Sequence, residues 1–219
     1  MQVFAHGGIC VSDGKGAVYL DPSRGRPDGV VTHAHSDHLR PRTHMTPATA
    51  EVMYARTGSR KAQLHGYREP FTVRGIEVEF YDAGHVIGSA MVAVDGGRVL
   101  YTGDFNPYGT ITAGRAEPQQ CETLVIEATY GKPEQVLPPR QRVLRDLQGW
   151  MLAVAANGGG IVGAYTLGKA QEVVAAANAA GLRPTVSDEV GEVCDIYVAH
   201  DVPLEYDRFT ALLPEQRAA

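Results

Sequence analysis

The chain has 219 residues, 44% of them hydrophobic, with a formal net charge of −5 and three cysteines; that length suits one large or two small domains around a packed core. The acidic balance excludes a globally basic nucleic-acid binder, and the distant Cys10, Cys121 and Cys194, without any C-x-x-C spacing, exclude a disulfide framework and a thiolate zinc site. No run of 18 apolar residues occurs, and the start MQVFAHGGICVSDG lacks the charged-then-apolar layout of a signal peptide, so a cytoplasmic chain without a membrane span is expected.

In chain order, VFAHGGICVSDGKGAVYLD reads as two strands around a Ser-Asp-Gly turn, and GVVTH as a short buried strand delivering histidines into a loop. TPATAEVMYART predicts a helix, with Thr46 as N-cap, Pro47 at its first position and Gly58 past its end. FTVRGIEVEFYDAG and SAMVAVDGGRVLYTGD alternate around glycine turns and read as paired strands; TLVIEATYG is another strand ending in a polar loop. Residues 1–131 are therefore expected to form a strand-rich domain with few helices.

Beyond residue 131 the texture changes. LPPRQRVLRDLQGWMLAVAANGGG puts Val143, Leu144, Leu147, Trp150, Met151 and Val154 on one helical face, with Trp150 and Met151 read as core. IVGAYTLGKAQEVVAAANAAG predicts strand, tight turn and helix, and RPTVSDEVGEVCDIYV strand then helix. This alternation points to parallel α/β units over 132–219, with the boundary between Lys132 and Leu137.

Charge is unevenly spread. From Pro22 to Arg68 there are eight basic residues against three acids, whereas Asp188 to Asp207 holds seven acids and no base. Such polarity attracts a polyanion to one face, although a solvated surface has the same look. Arg24, Arg26, Arg40 and Arg42 are the candidates for steering phosphate, with solubility as their bland role. Gly168 and Lys169 open a helix after a predicted strand, where backbone N–H groups favour phosphate; a plain βα turn explains them equally, and the full P-loop spacing is absent. His6, His44 and His65 have no motif context and read as turn or surface residues. His200 reads as a surface residue too.

The chemistry-bearing stretch is VVTHAHSDHLRP, residues 30–41. His33 and His35 converge from one loop, and Asp37 and His38 follow closely enough to serve a neighbouring point. Imidazole and carboxylate together suit a borderline cation such as zinc. DAGHVIGSA places His85 just past a strand between glycines that let backbone approach a metal or phosphate closely. In LYTGDFN, Asp104 ends a strand, where a carboxylate can bridge two cations in the layout of two-metal hydrolysis.

THAHSDH, GHVIGS and TGD resemble successive motifs of the metallo-β-lactamase superfamily, and LDPS before them resembles its first motif. IEATYG, with Glu127, and AYTLGKAQEVV resemble features of the beta-CASP nuclease branch, with the nearest likeness to archaeal mRNA 3′-end processing factors and bacterial ligase-associated DNA exonucleases. The resemblance runs from about His6 to Tyr206. It implies a metallo-β-lactamase αββα-type sandwich, incomplete at its C-terminal side, over residues 1–131, and a short beta-CASP-like parallel α/β segment over 132–219. It also implies that His33, His35 and His85 hold one metal, that Asp37 and His38 hold a second, and that Asp104 bridges both. Asp21 and Glu127 would support these groups from behind.

The chain departs from the family after the inserted segment. The Ser-Asp-His and His-Gly motifs do not appear, and the sequence runs to LLPEQRAA. The second metal is therefore expected to lack a ligand, and a homodimer or a second polypeptide is expected to cover exposed apolar surface. The first functional expectation is a zinc-dependent phosphodiesterase, with manganese as a substitute, cutting RNA or single-stranded DNA with Asp37 orienting the attacking hydroxide. The alternatives are a non-catalytic or partner-dependent subunit of a nuclease complex, and a small-molecule hydrolase of the same superfamily.

Overall fold

The computed structural model describes residues 1–211, which divide into two compact units, Met1–Glu127 and a second beginning at Ala128. The stretch LLPEQRAA, 212–219, lies outside the described residues. No helix among the described residues is long and apolar enough to cross a membrane.

The first unit is built on two sheets. One runs in spatial order β1 (Gln2–Ala5), β2 (Ile9–Ser12), β3 (Ala17–Leu20), β4 (Gly29–Val30), β5 (Thr43–Met45) and β6 (Ala62–Leu64), antiparallel up to β3 and parallel from there. The other is ordered β11 (Thr123–Val125), β10 (Val99–Tyr101), β9 (Ala90–Val94), β8 (Ile76–Asp82) and β7 (Phe71–Val73), with only the β10–β11 pair parallel. Val11, Val18, Leu20 and Val30 from the first sheet share one buried cluster with Val78, Phe80, Val92 and Val94 from the second. Each such side chain contributes on the order of 1.5–3 kcal/mol by leaving water.

The helix α1 (Pro47–Thr57) follows its local signals. Thr46 Oγ1 accepts from Thr49 N, and Gly58 closes the helix at φ +69°. Met53 packs against Val31 and Met45, which fixes the helix over the first sheet beside the histidine loop. Against the outer face of the second sheet, Phe105, Ala116 and Cys121 of an irregular segment cover Met91, Ala93 and Leu100. Among the described residues, this unit therefore carries a helix layer on one face only.

Two features of this unit differ from expectation. The N-terminal stretch forms three strands, because Gly7 (φ +63°) and Gly8 (φ +122°) permit an extra turn between β1 and β2. Strands β5 and β6 have three residues each, too short for a periodic signal.

The second unit contains α2 (Arg140–Ala156), α3 (Lys169–Ala179), β12 (Thr185–Val186), α4 (Asp188–Ala199), β13 (Asp207–Arg208) and a 3-10 turn at Phe209–Ala211. Met151, Leu144 and Leu147 of α2 meet Val173, Ala176 and Ala177 of α3. Trp150 is 44% exposed and Val143 equally so, which corrects the reading of Trp150 as core: the buried stripe of α2 is narrower than its apolar face. IVGAY, 161–165, is not a strand; Ile161 and Tyr165 are 97% and 81% exposed, and no strand among the described residues pairs with them. Within this unit, parallel pairing is thus confined, among the described residues, to the short β12–β13 pair.

Candidate metal centre

The site gathers at the ends of strands within the first unit. Strand β4 leads into Thr32 and His33, both buried, and the chain then turns so that His38 N and Leu39 N both donate to His35 O. Two arginines clasp this loop. Arg56, in the last turn of α1, donates to Ala34 O at 2.7 Å, and Arg40 donates to Ser23 O, Ser36 O and Leu39 O.

The His85 loop is held in the same way. His85 N and Val86 N donate to Ser89 Oγ, Gly84 N donates to Asp82 Oδ1, and Tyr67 donates to Ser89 O. Gly88 lies at φ +74°, where an added Cβ would come within 2.6 Å of Thr49 N, while Thr46 and Thr49 hydroxyls donate to Gly88 O. The glycines beside His85 therefore let the loop approach other backbone and α1 closely.

With both loops fixed, His33 Nε2 stands 3.0 Å from His35 Nδ1, and His85 Nε2 stands 3.2 Å from the same atom. Asp104 Oδ2 lies 3.8 Å from His33 Nε2 and 3.6 Å from His85 Nε2, and one donor atom from each of the four residues falls within a 4.8 Å group. The other oxygen, Oδ1, lies 3.8 Å from His38 Nε2, which is 3.6 Å from Asp37 Oδ2. The carboxylate of Asp104 thus turns one oxygen to each of two neighbouring points. Asp37 sits at the rim with its side chain 77% exposed.

The electrostatics differ from one ligand to the next. Burial, followed by the positive charge of His38, His35 and His85, holds His33 well below the ordinary imidazole value, so its ring stays neutral as a metal ligand must. Burial pulls His38 down as well, but the adjacent Asp21, with Asp104 and Asp37, outweighs it and raises its proton affinity. Burial raises the Asp104 carboxyl, as does Glu127, against the lowering pull of His38. Three ring nitrogens and a carboxylate oxygen converging on one point form a borderline-hard donor set that zinc or manganese satisfies.

Behind these groups, Asp21 accepts from Thr32 N and Thr32 Oγ1, each at 2.8 Å, and from Tyr101 at 3.1 Å. His38 Nδ1 lies 2.8 Å from Asp21 Oδ2, an ion-pair contact off the direction of an ideal hydrogen bond. Glu127, two residues past β11, accepts from Phe105 N at 3.4 Å, next to Asp104. Thr32, Tyr101, Ser89 and Arg56 were not singled out in the sequence. Only the Thr preceding His33 and the Tyr preceding TGD carried a positional signal.

The candidate phosphate contacts are less uniform. Arg26 pairs with Asp28 at 2.6 Å and lies 3.4 Å over the Tyr19 ring. Arg40 is occupied by the carbonyls above, whereas Arg24 and Arg42 are exposed. At the start of α3, Gly168 N donates to Gln171 Oε1 and Ala170 N to Tyr165 O, leaving Lys169 exposed beside N–H groups already engaged. His44 is not a turn or surface residue: it is 5% exposed, and its Nδ1 is 2.9 Å from Nε2 of the half-buried His65, which stacks on Phe71. His200 is exposed at the end of α4.

No family model matches the chain. A protein named RNase J-like protein from Methanocaldococcus jannaschii is 30% identical over 175 residues, covering 66% of this chain and 42% of that protein. A probable DNA ligase from Opitutus terrae is 31% identical over 165 residues, 71% of this chain and 16% of the ligase. Cleavage and polyadenylation specificity factor subunit 3 from Dictyostelium discoideum is 35% identical over 113 residues, 49% of this chain and 14% of that protein. The chain spans less than half the length of these relatives. Among solved structures, a protein of unknown function from Enterococcus faecalis shares the fold with a TM-score of 0.58 at 13% identity, covering 81% of this chain and 50% of that one.

Proposed function

For this chain, which belongs to the metallo-β-lactamase superfamily and to its beta-CASP nuclease branch, we propose a metal-dependent phosphodiesterase of the cytoplasm that cuts RNA. The observation that carries this reading is Asp104, whose two oxygens face two separate donor sets, His33, His35 and His85 on one side and His38 with Asp37 on the other. That layout belongs to paired cations acting on a phosphodiester. The Met1–Glu127 unit is then the metal-binding domain, an incomplete αββα sandwich with α1 as its one helix layer among the described residues, and the residues after it the beta-CASP-like segment.

Zinc, or manganese in its place, would supply at these points the positive charge that polarises a phosphate oxygen and makes water nucleophilic at neutral pH. His33, His35 and His85 would hold the first point, His33 as a neutral imidazole. His38 presents Nε2 to the second while Asp21 holds its other nitrogen. The exposed carboxylate of Asp37 is placed to accept a hydrogen bond from the attacking water and aim it at phosphorus. Arg24 and Arg42 are the arginines best free to meet backbone phosphates, and Lys169 is a weaker candidate.

Single-stranded DNA is a second substrate reading, favoured by the likeness to a probable DNA ligase. The test is cleavage of matched RNA and DNA oligonucleotides by the chain with zinc or manganese. Cutting that is lost on chelation and in Asp104→Asn is the expected result; intact oligonucleotides with a fully metal-loaded chain would remove the nuclease reading. We further propose association into a homodimer through apolar residues such as Ile161 and Tyr165, read by light scattering at micromolar concentration.

A further inference from the structure

We propose that Thr32 and Tyr101 are positioning residues which, through Asp21, set the ring nitrogen that His33 and His38 each present to a cation. The inference rests on the metal reading above and extends it to residues outside the donor set.

A threonine hydroxyl has one hydrogen. Thr32 Oγ1 gives it to Asp21 Oδ2 at 2.8 Å, so its remaining contact, 3.0 Å from His33 Nδ1, has to be an acceptance. The proton of His33 is thereby placed on Nδ1, and Nε2, the atom aimed at His35, His85 and Asp104, keeps its lone pair. The same Asp21 oxygen makes an ion-pair contact with His38 Nδ1 at 2.8 Å, which leaves His38 Nε2 turned to Asp37 and Asp104. One carboxylate oxygen therefore orients a ligand of each point.

That oxygen is itself held. Tyr101 donates to Oδ2 at 3.1 Å, and Thr32 N fixes the partner oxygen Oδ1 at 2.8 Å. Asp21 N donates to Val30 O across the first sheet while its φ is +45°, so the backbone on which the carboxylate hangs is pinned in a conformation few residues adopt. Gly103 explains how the loop bearing Asp104 comes so near. A Cβ there would sit 2.7–2.8 Å from three Thr32 side-chain atoms, so only glycine lets that loop close on the relay. Thr32 thus lies between Asp21, His33 and the approach to Asp104, where a hydroxyl and its single hydrogen decide the tautomer.

The test combines histidine tautomer assignment by nitrogen-15 NMR on the metal-free protein with calorimetric zinc titration of the wild type, Thr32→Ser, Thr32→Val and Tyr101→Phe. In the wild type and Thr32→Ser, His33 should be protonated on Nδ1. In Thr32→Val the Nε2–H tautomer of His33 should appear, and zinc affinity at the first point should fall about 10–100-fold. Tyr101→Phe should weaken the second point and leave the first unchanged, which also decides the matter should Thr32→Val not fold. Wild-type tautomers and affinities in Thr32→Val and Tyr101→Phe, or no rescue by Thr32→Ser, would overturn the inference while leaving the metal reading intact. A wild-type chain that binds no zinc would overturn the metal reading itself.

Discussion

His44 and His65 meet with Nδ1 and Nε2 2.9 Å apart, while His33 and His85 approach His35 Nδ1 at 3.0 and 3.2 Å. The distances are nearly equal, but the surroundings differ. At His44, the Pro27 carbonyl oxygen accepts from Nε2–H at 3.1 Å, so Nδ1 is left as an acceptor and His65 Nε2–H donates to it. Two rings and one carbonyl satisfy each other by tautomer choice alone, and stacking of His65 on Phe71 seals the pair. At His33, the relay from Thr32 has already fixed a bare Nε2, and two more imidazoles and a carboxylate oxygen crowd the same point. A cation serves all of them together. Facing imidazoles therefore mark a metal only where the second nitrogen of a ring is committed elsewhere and a carboxylate closes the group.

The contrast can be broken most decisively by removing ligands. His33→Ala with His35→Ala should abolish tight zinc uptake in elemental analysis, whereas His44→Ala should leave metal content at the wild-type level. If the two variants lost metal alike, the distinction would fail. Asp37→Ala comes next: it should empty the second point while the first stays filled, and cleavage of an RNA oligonucleotide should drop with it.

The His44–His65 pair gives the next largest effect, this time on stability. Burial, followed for His65 by the charge of His44, lowers both His44 and His65 below the ordinary 6.5, although Asp28 and Glu69 pull the other way. An imidazole with a depressed folded-state value stabilises the fold fully above 6.5, where both states are neutral. That stability is lost as pH falls below 6.5, because the unfolded chain takes up protons that the folded one refuses. Denaturant midpoints of the wild type should therefore drop between pH 7 and 5. His44→Gln should flatten that slope and destabilise the chain by about 1–3 kcal/mol at neutral pH. An unchanged slope in the variant would place the acid sensitivity elsewhere.

How much of this was legible in the sequence follows from which signals are local. The α1 helix announced both ends, because Thr46 and Gly58 act on backbone groups within one turn of them. THAHSDH and the strand-end Asp104 were readable because ligand-type side chains recur at short spacing. The His44–His65 contact was not, since the partners are 21 residues apart and meet only through pairing of two three-residue strands. Thr32 and Tyr101 were passed over for a similar reason: their chemistry exists only once Asp21, 80 residues from Tyr101 along the chain, lies between them. In the second unit, IVGAY has the composition of a strand, yet a strand needs a hydrogen-bonding neighbour, and composition cannot supply one.

The smallest expected effect lies on the basic face. Arg26 is already matched by Asp28 and Tyr19, and Arg40 by three carbonyls, so Arg24→Ala with Arg42→Ala should account for most of any arginine-dependent RNA affinity. Each lost phosphate contact should reduce the slope of log affinity against log salt by about 0.7–1. A slope that stays the same would make these arginines solvated surface.

The most direct test of the account is anomalous X-ray scattering from crystals of the zinc-loaded chain, recorded on either side of the zinc edge. A peak is predicted among His33 Nε2, His35 Nδ1, His85 Nε2 and Asp104 Oδ2, with a second beside Asp37 and His38, and no density between His44 and His65. Zinc seated between His44 and His65, or bound in stoichiometric amount with the His33 point empty, would contradict it.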